Sequence, residues 1–493
     1  MTSTQLVVGI DSSTQSCKVE IREIDTGRLV ASGAEAHPPT FPPKSEQDPN
    51  MWWECLVKAF HKAVNSSKLD KKLIVAIAVT AQCHGMVVLD KDMNVIRPAK
   101  LWNDTESSLQ SDSLLNKYGE DYWINLTGSK LGPSFTITKL VWLLENEIVN
   151  FKKINKLILP HDFLTWKLSS KFVTDRAGAS CTGYYSIREQ TWSLQALDSF
   201  DSNLNWLSIL PKVMAPNEKS GLISPGVADQ LGLEQSVVIG AGTGDQMASS
   251  LGLGAQEGDY VVSIGTSVCV FTVSSKPIID LSGLVNCVCD ASGKFLPIVV
   301  GLNGTKVTNL IAKILNCDFD ELSALAMDTS QQEPRLFFSA LIDGERSPNL
   351  PNATGTLAGI TSRTTRNGIA RAAFDGVLVP VVKHYRYLKN LVGVPTNRII
   401  IAGGGAKSYA YRQILADLMQ YPITLVDVEE SAARGACIQA AAVKKELSID
   451  EILPAWAPSS LEIVNPRKEF EIEEYFVRFE KCSDWRALDR IEP

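Results

Sequence analysis

The sequence predicts an α/β fold in two lobes, each a mixed sheet covered by helices. Three observations lead there. Strand-like runs rich in Val and Ile alternate with helix-like amphipathic runs along the whole chain. A strand–turn–strand pattern near the N-terminus returns about half a chain later. Three small-residue turns each follow an apolar strand.

Taken in order, Leu6 to Ile10, Lys18 to Ile24, Ile74 to Thr80 and Met86 to Leu89 read as strands. Trp52 to Asn65 reads as a helix, with Asp48 and Pro49 as its start signal. Val237 to Ala241 is a strand that runs into the loop Gly242-Thr243-Gly244. Later, Asn367 to Val392 reads as a long helix, Arg398 to Ala402 as a strand and Tyr409 to Gln420 as a helix. Ile423 to Val428 is a further strand and Ser431 to Lys445 a further helix. Beyond Glu446 the chain is polar and charged, which suits one or two surface helices. The repeat pairs Val7 to Thr14, leading into Val19-Glu20-Ile21, with Val261 to Ser267, leading into Val268-Cys269-Val270. Two homologous lobes explain it, and so does chance similarity between two hairpins. Glycines cluster between elements from Gly252 to Gly258, so the boundaries fall at 1–255, 256–445 and 446–493.

Composition narrows the function. The chain has 493 residues, 48 basic and 55 acidic, for a net charge of −7, and its pI is about 5.5. Such a chain lacks the broad positive field that nucleic acid or an anionic membrane requires. No apolar run approaches the roughly 18 residues that span a bilayer. The N-terminus has no basic segment leading an apolar one, so no signal peptide is expected. The ten cysteines are scattered without a C-x-x-C pair. Reduced thiols and a cytoplasmic location are therefore the expectation.

The turns Asp11 to Thr14, Gly265 to Ser267 and Gly403 to Gly405 combine glycines and hydroxyls at strand ends. Turns of this kind leave backbone N–H groups uncovered, a nest for phosphate oxygens, although most such turns only reverse the chain. The spacing in Gly301 to Lys306 fails the P-loop pattern, and Gly252-Leu253-Gly254 lacks the third glycine of a dinucleotide fold. A hairpin-based phosphate clamp of the actin-like kind remains. Asp11 beside a phosphate calls for a cation between them, with Mg²⁺ held through water the natural choice. Alternatively, Asp11 caps its own turn. Asp245 follows a strand and a small-residue loop, where a carboxylate can take a proton from a substrate hydroxyl, or can simply cap the next helix. His84, in Gln82-Cys83-His84-Gly85, and the group Trp102-Asn103-Asp104 offer a ring and polar side chains suited to a sugar; each is also compatible with a structural role.

Together these residues resemble the FGGY carbohydrate kinases of the actin-like ATPase superfamily. The likeness runs over roughly residues 5 to 445 and rests on an ordered series of segments. These are Gly9 to Lys18, Ser45 to Trp53, Gln82 to Gly85, Leu101 to Asp104, Leu159 to Asp162, Gly242 to Gln246, Ser263 to Ser267, Asp343 to Pro348 and Gly403 to Ser408. The resemblance implies two actin-like (ribonuclease H-like) lobes about a central nucleotide and sugar cleft, an N-terminal lobe for the sugar and a C-terminal lobe for ATP. It implies ATP-dependent phosphorylation of the 5-hydroxyl of a ketopentose, D-xylulose by the Gln82–Gly85 and Leu101–Asp104 segments. Asp245 becomes the general base. Cys83, His84, Trp102, Asn103, Asp104, Asp245 and Gln246 become the sugar contacts. Asp11, Ser13, Thr14, Lys18, Gly265, Thr266, Ser267, Gly403, Gly404 and Gly405 become the ATP contacts, with Asp11 at Mg²⁺.

This sequence departs from the family pattern at Ser13, where many members have Gly, and at Cys83, often Met. Gln246 stands where some members have Asn. Ribulose, glycerol or gluconate stay open as substrates, as does an actin-like nucleotide switch without a metabolite product. No nucleic-acid or membrane partner is expected, and a homodimer is the base-rate assembly.

Overall fold

The structure, a computed structural model, describes residues 4–201, 204–328, 335–347, 350–467 and 472–483. Pro348 of the Asp343–Pro348 segment, and residues 468–471 and 484–493 of the expected tail, lie outside the described residues. The chain forms two compact units. One comprises Met1–Gly254, Ser275–Leu296 and Val428–Pro458; the other comprises Ala255–Ser274, Pro297–Asp427 and Ser459–Pro493.

In the first unit the strands pair in the order Leu29–Ala36, Ser16–Glu23, Leu6–Ser12, Ile74–Ala81, Val238–Gly240 and Lys219–Leu222. The first two pairings are antiparallel, the next two parallel and the last antiparallel. The second unit repeats this order and these directions with residues 297–301 of the strand Phe295–Gly301 and with Val268–Thr272, Asp259–Ile264, Arg398–Ala402, Ile423–Val426 and Ser460–Val464. The short sequence echo between the two hairpins thus belongs to a repeat of six strands. Two mixed sheets of this topology are the two-lobed α/β fold that the sequence predicts.

Leu6–Ser12 is buried along its whole length, which is why it reads as a continuous apolar run rather than an alternating one. Leu6, Val8 and Ile10 join a core with Val19, Ile21, Trp52, Phe60, Ile77 and Phe163. Gly9 accepts the helix Ser431–Lys445 so closely that an added Cβ would lie 2.0 Å from the Ala433 carbonyl. The helix Pro49–Ser67 begins as its signal indicates, with Asp48 accepting from the Asn50 amide and Pro49 in the first turn. The strands extend past the expected ends: Leu6–Ser12 takes in Asp11, and Ile74–Ala81 reaches the residue before Gln82.

The region after Glu446 differs from the expected surface helices. Ser460–Val464 is a strand that extends the second unit's sheet beside Ile423–Val426. The helix Ile472–Ser483 buries Tyr475, Phe476 and Phe479. Tyr475 donates to the buried Asp375 carboxylate at 2.8 Å, and the Arg335 guanidinium lies 3.6 Å from the Tyr475 ring centre. The chain's charged composition there hides an apolar stripe with helical spacing.

Candidate active site

Parallel pairing brings three strand ends together in the first unit. Asp11 is level with Thr80 and Ser12 with Ala81, while Thr243 and Gly244 pair with the same Thr80 and Ala81. Asp11, the Gln82-Cys83-His84 loop and Asp245 therefore leave the sheet at one edge, the carboxyl end where α/β sheets bind ligands. Asp245 opens the helix Asp245–Gly252 from its first position, with Gly244 before it as the cap residue. The cap position of that helix is therefore Gly244 rather than Asp245.

The Asp245 carboxylate is held at Oδ1, which accepts from the Cys83 thiol (3.3 Å) and the Gln246 amide (2.8 Å). Burial raises the Asp245 pKa from its ordinary value, and these donors oppose the shift. Burial likewise pushes Asp11 up to about 7; the Ser13 hydroxyl, donating at 2.7 Å, works against this, and the charge of Asp245 adds to it. Lys18, an expected ATP contact, pairs with Glu430 at 2.6 Å.

His84 sits in the left-handed region, φ 63°, which costs a non-glycine residue about 1 kcal/mol or more. Three contacts hold it there. Its Nδ1 donates to the Cys181 carbonyl at 2.6 Å, Thr136 Oγ1 donates to its carbonyl at 3.0 Å, and its ring lies 4.9 Å from that of Phe135. Beside it, Gln82 is fully buried, and neither atom of its amide has a hydrogen-bond partner among the described residues. A buried amide of that kind is ordinarily completed by water or ligand.

Trp102 exposes 44% of its surface while its indole N–H donates to Thr14 Oγ1 at 2.9 Å. The expected sugar wall and the first phosphate turn are thus one connected structure. The Asn103 Oδ1 is buried without a partner among the described residues. Asp104, expected at the sugar, turns inward instead. It is fully buried and accepts from the Ser45 amide (2.9 Å) and the Lys100 ammonium (3.2 Å). Glu46, Asp104 and Glu106 have the spacing of a metal cage, but the buried Lys100 ammonium pairs with all three and supplies the positive charge.

The Leu159–Asp162 segment contributes His161, which is buried with its Nε2 2.9 Å from Asp162 and 3.5 Å from Asp175. Burial opposes its protonation, yet the two carboxylates outweigh burial and push His161 up to about 10. The imidazolium packs under Gly242, where an added Cβ would lie 3.1 Å from its Cδ2, so it supports the loop that carries Asp245.

In the second unit the turn Gly265–Ser267 closes the hairpin between Asp259–Ile264 and Val268–Thr272. The amides of Gly304 and Thr305, at the head of the helix Thr305–Leu315, donate to the carbonyls of Thr266 (3.0 Å) and Gly265 (2.8 Å). Gly403, at φ 80°, passes so close that an added Cβ would lie 2.6 Å from the Ile264 carbonyl. Gly265, Thr266 and Ser267 therefore neighbour Gly403, Gly404 and Gly405 through Ile264. Sequence reasoning missed Glu345, whose carboxylate accepts from the Leu302 amide (2.7 Å) and the Asn303 side chain (3.0 Å). The Asp343–Pro348 motif was the available signal, since it names the segment without saying which side chain turns inward.

The N-terminal domain of the FGGY family of carbohydrate kinases matches residues 6–252, and its C-terminal domain matches residues 260–443. The chain is 34% identical to the xylulose kinase of Streptomyces coelicolor over 88% of this chain and 87% of that one. It is 31% identical to the xylulose kinase of Haemophilus influenzae over 88% and 90%. The crystal structure of xylulose kinase from Bifidobacterium adolescentis superposes with a TM-score of 0.85 at 32% identity, covering 97% of this chain and 99% of that one. Both family domains occur in their usual order on a doubled six-strand topology, so the chain belongs to the FGGY family of carbohydrate kinases and is an ATP-dependent sugar kinase.

Proposed function

We propose that the chain transfers the γ-phosphoryl group of ATP to the 5-hydroxyl of D-xylulose, with Asp245 as general base. The observation that carries this is the setting of Asp245: a half-buried carboxylate at a strand end, held by the Cys83 thiol next to the strained His84. The chain's likeness to xylulose kinases supports the choice of sugar. Residues 1–255 bind the sugar through Cys83, His84, Trp102, Asn103 and Gln246, while Asp104 anchors the Trp102–Asn103 loop from inside. Residues 256–445 bind ATP, with Gly403 to Gly405 at adenosine and Gly265 to Ser267 at phosphate. The turn Asp11 to Thr14, with Lys18 behind it, offers its amides to phosphate in the same way.

Asp245 orients the hydroxyl and takes its proton as the O–P bond forms. The residues fit Mg²⁺: burial raises the pKa of both Asp11 and Asp245, the charge of Asp245 adds to the rise at Asp11, and a cation held beside Asp11 would oppose that rise. Such an ion would neutralise charge on the transferring group. A cytoplasmic location and a homodimer complete the proposal, the latter checked by light scattering.

The test is ADP release measured across D-xylulose, the ribulose isomers, glycerol and gluconate. D-Xylulose is expected to give the highest kcat/KM and to stimulate turnover well above the sugar-free rate. Asp245→Ala is expected to lower kcat by about 10²-fold or more while ATP binding survives. Retained turnover in that variant removes Asp245 from the role, and a rate indifferent to every sugar points to a nucleotide switch.

A further inference from the structure

The turn after Leu6–Ser12 is held from one side by a set of donors. The His37 ring donates from Nδ1 to the Ser13 carbonyl at 2.9 Å. Gln47 Nε2 donates to the Thr14 carbonyl at 3.0 Å and to the Pro38 carbonyl at 3.0 Å. The His37 amide donates to the Gln15 carbonyl at 2.8 Å. Both side chains are buried, His37 6% and Gln47 5% exposed. The orientation of the Gln47 amide is fixed independently. Its Oε1 accepts from the Trp52 indole N–H at 2.8 Å, and an indole can only donate, so Nε2 must face the turn.

In a trans peptide the N–H points opposite to the C=O. Fastening the carbonyls of Ser13 and Thr14 to His37 and Gln47 therefore turns the N–H groups of Thr14 and Gln15 away from the clamp. Thr14 is fixed a second time through its hydroxyl by Trp102. We infer, resting on the proposed phosphate role of this turn, that Gln47 and His37 are positioning residues for phosphoryl transfer. They hold the turn's carbonyls back so that its amides stand ready for the phosphate chain of ATP. Trp52 sets Gln47, and Gln47 sets the turn. Neither residue touches substrate; each acts by excluding the flipped peptide, in which a carbonyl would meet a phosphate oxygen.

Gln47→Glu tests this with almost no change of shape. The glutamate keeps an acceptor for Trp52 but presents an oxygen to the Thr14 carbonyl. Affinity for β,γ-imido-ATP is expected to fall about tenfold or more, the usual effect of an unmet buried hydrogen bond. Affinity for AMP, which lacks the outer phosphates, and for D-xylulose is expected to stay within about twofold. His37→Leu, which removes the donor on Ser13, is expected to show the same split and serves where Gln47→Glu fails to fold. A fold merely loosened would weaken AMP, β,γ-imido-ATP and sugar alike, and that outcome, or unchanged affinity for β,γ-imido-ATP, overturns the inference. Amide resonances of Thr14 and Gln15 in the unaltered protein separate it from its premise. If they fail to shift with β,γ-imido-ATP, the phosphate role of the turn is wrong; if they shift and the variants bind normally, the clamp is wrong.

Discussion

Replacing Asp11 by Asn should stabilise the ligand-free protein while damaging the enzyme. Asp11 is 5% exposed, and burial is the main cause of its pKa rising from 3.8 to about 7. A carboxyl that holds its proton more tightly in the folded than in the unfolded chain makes folding less favourable as pH rises between those two values. The penalty is absent below about pH 4, grows by roughly 1.4 kcal/mol per pH unit and levels off near pH 7 at about 4 kcal/mol. Asn has no charge to bury and keeps an acceptor for the Ser13 hydroxyl. At roughly 2 °C per kcal/mol for a unit of this size, the Tm gain of Asp11→Asn is expected near 8 °C at pH 8 and near 3 °C at pH 5. Thermal unfolding of both proteins without ligand across pH 4 to 8 reads this directly. ADP-release turnover should fall in the same variant by about 10²-fold if, as proposed, Asp11 holds the cation. A Tm difference that does not change with pH, or a loss at pH 8, refutes the burial reasoning.

Other outcomes follow from the same contacts. Trp102→Phe keeps a ring but removes the N–H on Thr14, and should lower kcat/KM about three- to tenfold in steady-state assays with little change in Tm. His161→Leu leaves Asp162 and Asp175 buried beside an apolar side chain, and should cost about 3–5 kcal/mol in denaturant unfolding. Gly435→Ala places a Cβ 1.9 Å from the Ala248 carbonyl and should destabilise by about 3 kcal/mol, with a Tm fall measurable by calorimetry.

Much of the fold was legible because the informative residues act locally. Continuous runs rich in Val and Ile mark Leu6–Ser12, Ile74–Ala81 and Arg398–Ala402, and Asp48-Pro49 marks the start of its helix. Ser460–Val464 escaped because two of its apolar residues, Leu461 and Ile463, are exposed and the strand is defined by its partner. Asp104 was misleading for a similar reason. A carboxylate beside a Trp suits a sugar, but its partner Lys100 is buried by Glu46 and Glu106, and nothing in the local sequence announces a buried lysine. Gln47 lay inside a recognised motif, yet a side chain that bonds to main-chain carbonyls leaves no spacing signal. The sequence divides the lobes within Gly252 to Gly258, whereas the fold also groups Val428–Pro458 with the first unit.

That late segment explains how Asp11 and Asp245, far apart in sequence, come close enough to feel each other's charge. Of the twelve buried residues of the helix Ser431–Lys445, eight are Ala, Gly or Cys. Gly9, two residues before Asp11, lies against its Ala433; Gly252, at the end of the helix that Asp245 opens, lies against its Ser431, where a Cβ would be 1.8 Å from the carbonyl. Gly435 lies against Ala248 of that same helix. Three backbone-to-backbone contacts thus fasten strand Leu6–Ser12 and helix Asp245–Gly252 to one rod. Side chains of ordinary size would leave play at each contact, since they change rotamer and absorb small shifts. Glycine against backbone leaves none. The separation of the two carboxylates is therefore set by residues that carry no chemistry of their own.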